Sequence, residues 1–266
     1  MGTVLITGAT DGLGRYLTKR LAADGLRVLA HGRSSAKLDA VVAEAGGDVV
    51  PVRADLASLR EVDQLADQVL AATDRLDVLV SNAGVGFGTG TREESADGIE
   101  LRFAVNYLAG YRLTRKLLAL LRSSAPARIV NVASAGQEAI DFDDPMLTSS
   151  YDGTRAYRQA KLAQVMSTVD LAAELADSGV TVNALHPATF MNTTMVVTAG
   201  VSPMSTVEQG GEATLRLIRD PSLDGVTGRY FNGTHEARAL AQAYDPRARE
   251  QLRALTEQLL SRASLT

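Results

Sequence analysis

A phenol and an ammonium group stand four residues apart in "YRQAK", Tyr157 to Lys161. At that spacing a helix presents both on one face, which makes the pair a candidate for proton transfer. A tyrosine of pKa about 10 is a poor acid or base near neutrality, and burial alone would raise that value further. A neighbouring cation acts in the opposite sense, favouring the phenolate and bringing the proton-transfer pKa toward working pH. The pair gains meaning from its position after an apolar run ending in "NVAS". Ser134, at the end of that run, is placed to hydrogen-bond a substrate carbonyl and stabilise a developing alkoxide.

A second chemical signal opens the chain. "TGATDGLG", Thr7 to Gly14, follows directly on the apolar run "VLI". Glycines between a first strand and a first helix permit a tight turn and let backbone N–H groups and the helix N-terminus approach a pyrophosphate. Gly8, Thr10, Asp11, Gly12, Leu13 and Gly14 are the candidate contacts. Glycine-rich turns also serve as purely structural joints, so the loop alone does not decide. The second strand is more specific. A fold that binds NAD would place an acidic residue about 20 residues after the glycines, to accept from the ribose 2′-OH. Here the sequence reads "AHGRSS", and no carboxylate appears until Asp39. Arg33 can pair with a 2′-phosphate, helped by Ser34, Ser35 and Arg15, which favours NADP; the alternative is that Arg33 is one exposed arginine among many. Asp55 and Leu56, closing the third strand, fall beside the adenine on this layout. Asn82, Ala83 and Gly84 in "SNAG" leave space for the ribose and nicotinamide, or else form a plain turn.

The elements that must position these groups alternate along the chain. Strand-like runs "TVLIT", "RVLAHG", "DVVPVRAD", "LDVLVSNAG", "ARIVNVAS" and "VTVNALHP" alternate with helical periods over 12–24, 34–45, 58–72, 97–122 and 151–178. The strands are nearly continuous apolar runs, so they read as buried on both faces: a doubly wound parallel sheet between two helix layers, an α/β Rossmann fold. After His186 the rhythm loosens, and 188–219 reads as a segment covering the substrate, with a helix near 205–219. A last strand falls in "VTGRYFNG", and a helix over about 236–262 presents Leu252, Leu255, Leu259 and Leu260 on one side, against the domain or a second subunit.

Length and composition narrow the classes. With 266 residues, 45% of them hydrophobic, one core and one domain over 1–266 are expected. A formal net charge of −4 offers no basic field for nucleic acid. There is no cysteine, and His31, His186 and His235 are far apart, so no metal site is expected. No apolar run reaches the roughly 20 residues of a membrane span, and a strand starting at Thr3 leaves no room for a signal peptide, so a cytoplasmic protein with no membrane partner is expected.

In order and spacing, "TGATDGLG", "SNAG", Asn106 in "FAVNYLAG", Ser134 and "YRQAK" resemble the short-chain dehydrogenase/reductase family over nearly the whole chain. The resemblance implies seven parallel strands in the order 3-2-1-4-5-6-7, a nicotinamide cofactor and a small-molecule carbonyl or alcohol substrate. It also implies four roles: Tyr157 as acid/base, Ser134 orienting the substrate oxygen, Lys161 lowering the tyrosine pKa and gripping the nicotinamide ribose, and Asn106 kinking its helix to hold a relay water. "QEAIDFDDPMLTSSYDGTRA", "KLAQVM", "VNALHP" and "GRYFNG" are similar to the branch of retinol dehydrogenases and protochlorophyllide reductases, which implies NADP and a bulky apolar substrate. Homodimers or homotetramers are common in the family, though members of this branch can be monomeric. The chain departs from the family after "HP": Ala188 stands for a glycine and Asn192 for a threonine that binds the carboxamide, so that contact is open between Asn192, Thr193 and the backbone at Thr189, next to Pro187. Met191, Met195 and Met204 are either pocket wall or ordinary packing. His186 reads as packed at the strand end rather than catalytic. Two other uses of the site are a redox-neutral reaction such as isomerisation, dehydration or epimerisation, and sensing of NADP(H) without turnover.

Overall fold

The computed structural model describes residues 2–87 and 90–263. Its strands are short because each needs to cross only one sandwiched sheet, and their alternation sorts side chains between two helix layers. In β1 (Thr3–Ile6), Leu5 faces one layer and Val4 and Ile6 the other, all fully buried. The chain then runs α1 (Gly12–Ala23), β2 (Arg27–Gly32), α2 (Ser35–Ala45), β3 (Val49–Arg53), α3 (Leu59–Ala72) and β4 (Val78–Ser81). The second half continues through α4 (Leu101–Phe103), a π-helical turn (Ala104–Leu108), α5 (Ala109–Ser123), β5 (Ala127–Val132), α6 (Gly153–Glu174) and β6 (Val180–His186). It closes with α7 (Thr194–Thr198), α8 (Val207–Arg219), β7 (Tyr230–Asn232), β8 (His235–Ala237) and α9 (Pro246–Ala263).

The sheet order is β3-β2-β1-β4-β5-β6-β7-β8, parallel except for the last pair. One layer packs α3 and α5 through Val62, Leu65, Leu113 and Leu117 against Leu5, Leu29 and Leu79. The other packs α1 and α8 through Leu17, Leu21, Leu215 and Ile218 against Val4, Ile6, Val28 and Val130. Hence the strand order that the family resemblance implied is present, with one strand added. Gly233, at φ 59°, turns the chain back so that His235 pairs with Asn232 and Glu236 with Phe231. The helix expected from 236 therefore begins only at Pro246, where Asp245 accepts from the Arg247 N–H at 2.9 Å and proline's missing N–H costs nothing. Of the two partners considered for this helix, it packs on its own domain: Leu252 and Leu259 join Tyr107, Leu162 and Met166 in a third apolar cluster, and the Tyr107 hydroxyl meets Thr256 Oγ1 at 2.8 Å.

Two other boundaries move for local reasons. Glu100 accepts from the Phe103 N–H at 2.7 Å and starts α4 there, later than the expected 97. Asp152 accepts from the Thr154 and Arg155 N–H groups and starts α6 at Gly153.

Parallel strands bring their carboxyl ends to one edge of the sheet. Gly8 follows β1, Arg33 follows β2, Asp55 follows β3, Asn82 follows β4, Ser134 follows β5 and Pro187 follows β6. The chain's direction of travel across the sheet reverses between β1 and β4, which opens a crevice at the point where such sheets take ligands.

Candidate active site

At the β1 end, Gly8 has φ +68° and no room for a side chain: a Cβ would stand 2.8 Å from Ala83 Cα. Asn82 donates through Nδ2 to the carbonyls of Thr7 and Gly8 at 2.9 and 3.2 Å, and Thr7 Oγ1 accepts from the N–H groups of Asn82 and Ala83. The "TGATDGLG" and "SNAG" turns are thus stitched into one wall. The first N–H groups of a helix have no acceptor inside it. In α1, Asp11 takes those of Gly12 and Arg15, and those of Leu13 and Gly14 are left for a ligand among the described residues. Thr10 lies over Gly32.

Arg33 is exposed, and its guanidinium has no hydrogen-bond or ion-pair partner among the described residues. Arg15 is committed elsewhere, paired with Glu44, whose carboxyl it holds below the usual range. Helping at a 2′-phosphate would require it to leave Glu44, an exposed and therefore weak ion pair. Ser34 caps α2 by accepting from the Lys37 N–H. Asp55 caps its own turn through Ala57, and the Leu56 side chain lies in the core, which leaves only its backbone toward the crevice.

Sequence reasoning passed over His31, which is 3% exposed at the end of β2. Its Nδ1 accepts from the Gly8 N–H at 3.2 Å, which puts the ring proton on Nε2, 3.1 Å from the Ala54 carbonyl. Burial pushes its pKa down to about 4, so the ring is neutral near pH 7 and joins the ends of β1, β2 and β3. The one polar residue inside the apolar run "RVLAHG" was the available signal.

On the other side of the crevice, Tyr157, Lys161 and Ser134 converge as their spacing implies. Ser134 Oγ accepts from the Gly136 N–H at 3.0 Å, which frees its own proton to point into the site. Burial raises the Tyr157 pKa and a side-chain hydrogen bond with Ser134 opposes the rise. The ring is met edge-on by Phe87 at 4.7 Å between centroids. Lys161 Nζ lies 5.9 Å from the tyrosine ring centroid and donates to the Val132 carbonyl at 2.7 Å and Gln164 Oε1 at 3.3 Å. Its ammonium is desolvated and its pKa falls to about 8. In this state burial, and not the cation, dominates the phenol's pKa.

Asn106 lies in the π-helical turn, where the Ala109 N–H reaches back to the Ala104 carbonyl, so the expected kink is there. Both ends of its side-chain amide are taken by the backbone of Val85, at 2.7 and 3.0 Å. Gly84 is the joint between the two halves: a Cβ there would stand 3.2 Å from Asn106 Oδ1 and 3.8 Å from Lys161 Nζ. The next residues are held by a buried Arg102, which donates to the Gly86 carbonyl and the Tyr151 hydroxyl and pairs with Glu100.

The 188–219 segment arches over the crevice. Thr193 presses on Gly12, where a Cβ would stand 2.7 Å from its Cγ2, and Met195 presses on Gly86. Thr189 Oγ1 meets His186 Nε2 at 3.1 Å, so His186 is packed at the end of its strand. Asn192 is exposed. No group of acidic or histidine side chains that could hold a metal occurs among the described residues, and no helix there is long and apolar enough to cross a membrane.

A glycine-lined nucleotide crevice beside a tyrosine, lysine and serine defines a class, and comparison with known proteins gives the same class. The family model for short chain dehydrogenases matches residues 2–201, and the chain belongs to that family, whose members are nicotinamide-dependent oxidoreductases. Within it, the chain is 36% identical to human retinol dehydrogenase 14, covering 91% of this chain and 81% of that one, and falls in the retinol-dehydrogenase-like branch. A probable oxidoreductase of Streptomyces lividans is 34% identical, over 93% of this chain and 94% of that one. Among solved structures, an uncharacterised protein from Mycobacterium paratuberculosis superposes with a TM-score of 0.81 at 27% identity, covering 97% of this chain and 93% of that one. A 3-ketoacyl-(acyl-carrier-protein) reductase from Brucella melitensis, complexed with NADH, gives 0.69 at 27% identity, with coverages of 87% and 96%.

Proposed function

We propose that the chain binds NADP(H) across the β1/β4 crevice and interconverts a bulky apolar ketone or aldehyde with its alcohol. The observation that carries this reading is the convergence of Tyr157, Ser134 and Lys161 on one side of a crevice whose other side is glycine backbone and free helix N–H groups. Those N–H groups, at Leu13 and Gly14, fit a pyrophosphate, and the absence of side chains at Gly8 and Gly84 fits the close approach of a dinucleotide.

When bound, the nicotinamide supplies or takes the hydride. The chain does the rest. Ser134 donates a hydrogen bond to the substrate oxygen, and Tyr157 gives it a proton in reduction or takes one in oxidation. Lys161 holds the ribose and brings a positive charge beside the phenol. Thr193 is pressed on the first turn of α1, at the end of the crevice proposed for the pyrophosphate. Phe87, Met195 and Phe190 form apolar rims, which suits a bulky apolar substrate, as do relatives named for retinol.

Absorbance loss of NADPH with a panel of bulky aromatic and terpenoid ketones tests the reading. Ketone-dependent loss supports it, and silence across the panel with NADPH still bound counts against it. Replacing Arg33 with alanine is expected to weaken NADPH about 10- to 100-fold, the value of one or two charge-assisted hydrogen bonds, and to leave NADH within about 2-fold. Equal losses for both cofactors in a fluorescence titration would remove Arg33 from the 2′-phosphate site. The kcat/KM for NADPH reports groups of the free enzyme. Lys161 is charged below about 8 and neutral above it, so this quantity should be flat at lower pH and fall as pH rises through about 8.

A further inference from the structure

The run "GRYFNG" near the end of the chain has no part in the chemistry described so far, and it lies beyond the residues matched by the family model. Its Tyr230, in β7, is 5% exposed, and its hydroxyl donates to the backbone carbonyl of Ser134 at 3.0 Å across 96 residues of sequence. A buried phenol must find an acceptor somewhere. Here the acceptor is the peptide carbonyl of the residue whose hydroxyl faces Tyr157.

A second donor reaches the same carbonyl. Gln137 Nε2 lies 2.7 Å from it, while Gln137 Oε1 accepts from the Leu240 N–H at 2.9 Å. The segment that follows β5 has no regular structure between Ala133 and Asp152, so its position depends on such side chains. Gln242 holds both the N–H and the carbonyl of Ile140, at 2.7 and 3.1 Å, and Gln159 holds the Ala139 carbonyl at 3.0 Å. Ser134 is thus fixed at its carbonyl by Tyr230 and Gln137 and at its Oγ by Gly136, and the anchors run to the hairpin and turn of the C-terminal segment.

We infer that Tyr230 and Gln137 are positioning residues for Ser134, and that residues 230–244 form a brace setting the direction of the Ser134 hydroxyl toward the substrate oxygen. The inference rests on the proposed carbonyl chemistry. Since hydrogen-bond strength falls steeply with misalignment, a freed Ser134 peptide would weaken the contact to the substrate oxygen while the cofactor crevice stays as it is.

Tyr230→Phe is the test, because it keeps the ring in its apolar cluster and removes only the donor. The expected result is a fall of about 5- to 10-fold in kcat with NADPH affinity within about 2-fold, and a fall of less than about 2-fold when the same change is made on a Ser134→Ala background. An equal fall on both backgrounds would overturn the inference, since the tyrosine would then act on the site without Ser134. So would an unchanged kcat in the single variant. A readout independent of turnover is the carbonyl carbon resonance of Ser134 in protein labelled with carbonyl-¹³C serine, assigned through Ser134→Ala. It is expected to move upfield in both Tyr230→Phe and Gln137→Leu, and an unmoved signal in both sinks the brace. If wild type turns over no ketone, the carbonyl reading fails, and the resonance still decides whether Tyr230 and Gln137 hold Ser134.

Discussion

Replacing Tyr157 with phenylalanine is expected to lower kcat/KM for carbonyl reduction by about 10³-fold or more, with NADPH affinity and thermal stability close to wild type. Positioned proton transfer is worth about 10²- to 10⁴-fold, and in the proposed reaction Tyr157 is the group that gives the substrate oxygen its proton. Ser134 Oγ accepts from the Gly136 N–H, and in the proposed reaction its own proton is engaged in the hydrogen bond to the substrate oxygen, while Lys161 Nζ is directed to the Val132 carbonyl. The substitution removes one oxygen. The ring that Phe87 meets edge-on stays in place, and with it the packing of α6 against the wall of the crevice. Because burial holds the phenol above its ordinary pKa, the wild-type residue is protonated at neutral pH and ready to give its proton in the reductive direction. Steady-state kinetics of the variant beside a fluorescence titration with NADPH separates the two effects. Retention of more than about a tenth of wild-type kcat/KM would mean that the proton comes from elsewhere.

The parts of this arrangement that were legible in the sequence are those governed by local rules. Apolar runs marked β1 to β6 because every one of these strands except the edge strand β3 buries both faces, and spacing alone put Tyr157 and Lys161 on one side of a helix. What escaped were side chains whose partners lie far along the chain. His31, which the sequence offered only as one of three scattered histidines, takes the Gly8 N–H and meets the Ala54 carbonyl through its two nitrogens. Tyr230 and Gln137 carry no local signal for Ser134, since the contact spans the sheet from β7 to β5 by way of β6. Nor did the sequence show that Arg15, directly after the glycine loop, pairs with Glu44 on the neighbouring helix. The eighth strand was hidden because His235–Ala237 is an exposed edge with little apolar pattern, and a three-residue run sets no period.

Replacing Gly14 with alanine is the second large effect, and it should separate cofactor binding from folding. Gly14 sits in the first turn of α1, fully surrounded, and a Cβ there would fall inside van der Waals contact of the Gly8 carbonyl oxygen and 2.7 Å from Asn82 Nδ2. Neither neighbour yields easily. The Gly8 carbonyl is backbone in a left-handed turn already bonded by Asn82, and Asn82 is tied to Thr7 as well. Relief must come from a shift of the start of α1 away from β4, which moves the N–H groups of Leu13 and Gly14 off the position a pyrophosphate needs. Alanine is otherwise the better helix former by roughly 1 kcal/mol, so the loss of stability is partly offset, whereas loss of the anion site has no such compensation. The expected outcome is a weakening of NADPH by about 100-fold or more, as several charge-assisted hydrogen bonds lengthen together, and a fall in thermal midpoint of a few degrees. NADH should weaken by a similar factor, since the pyrophosphate is common to both cofactors, in contrast to the selective loss expected from Arg33→Ala. A fluorescence titration of the folded variant that returned wild-type affinity for either cofactor would place the pyrophosphate away from the first turn of α1.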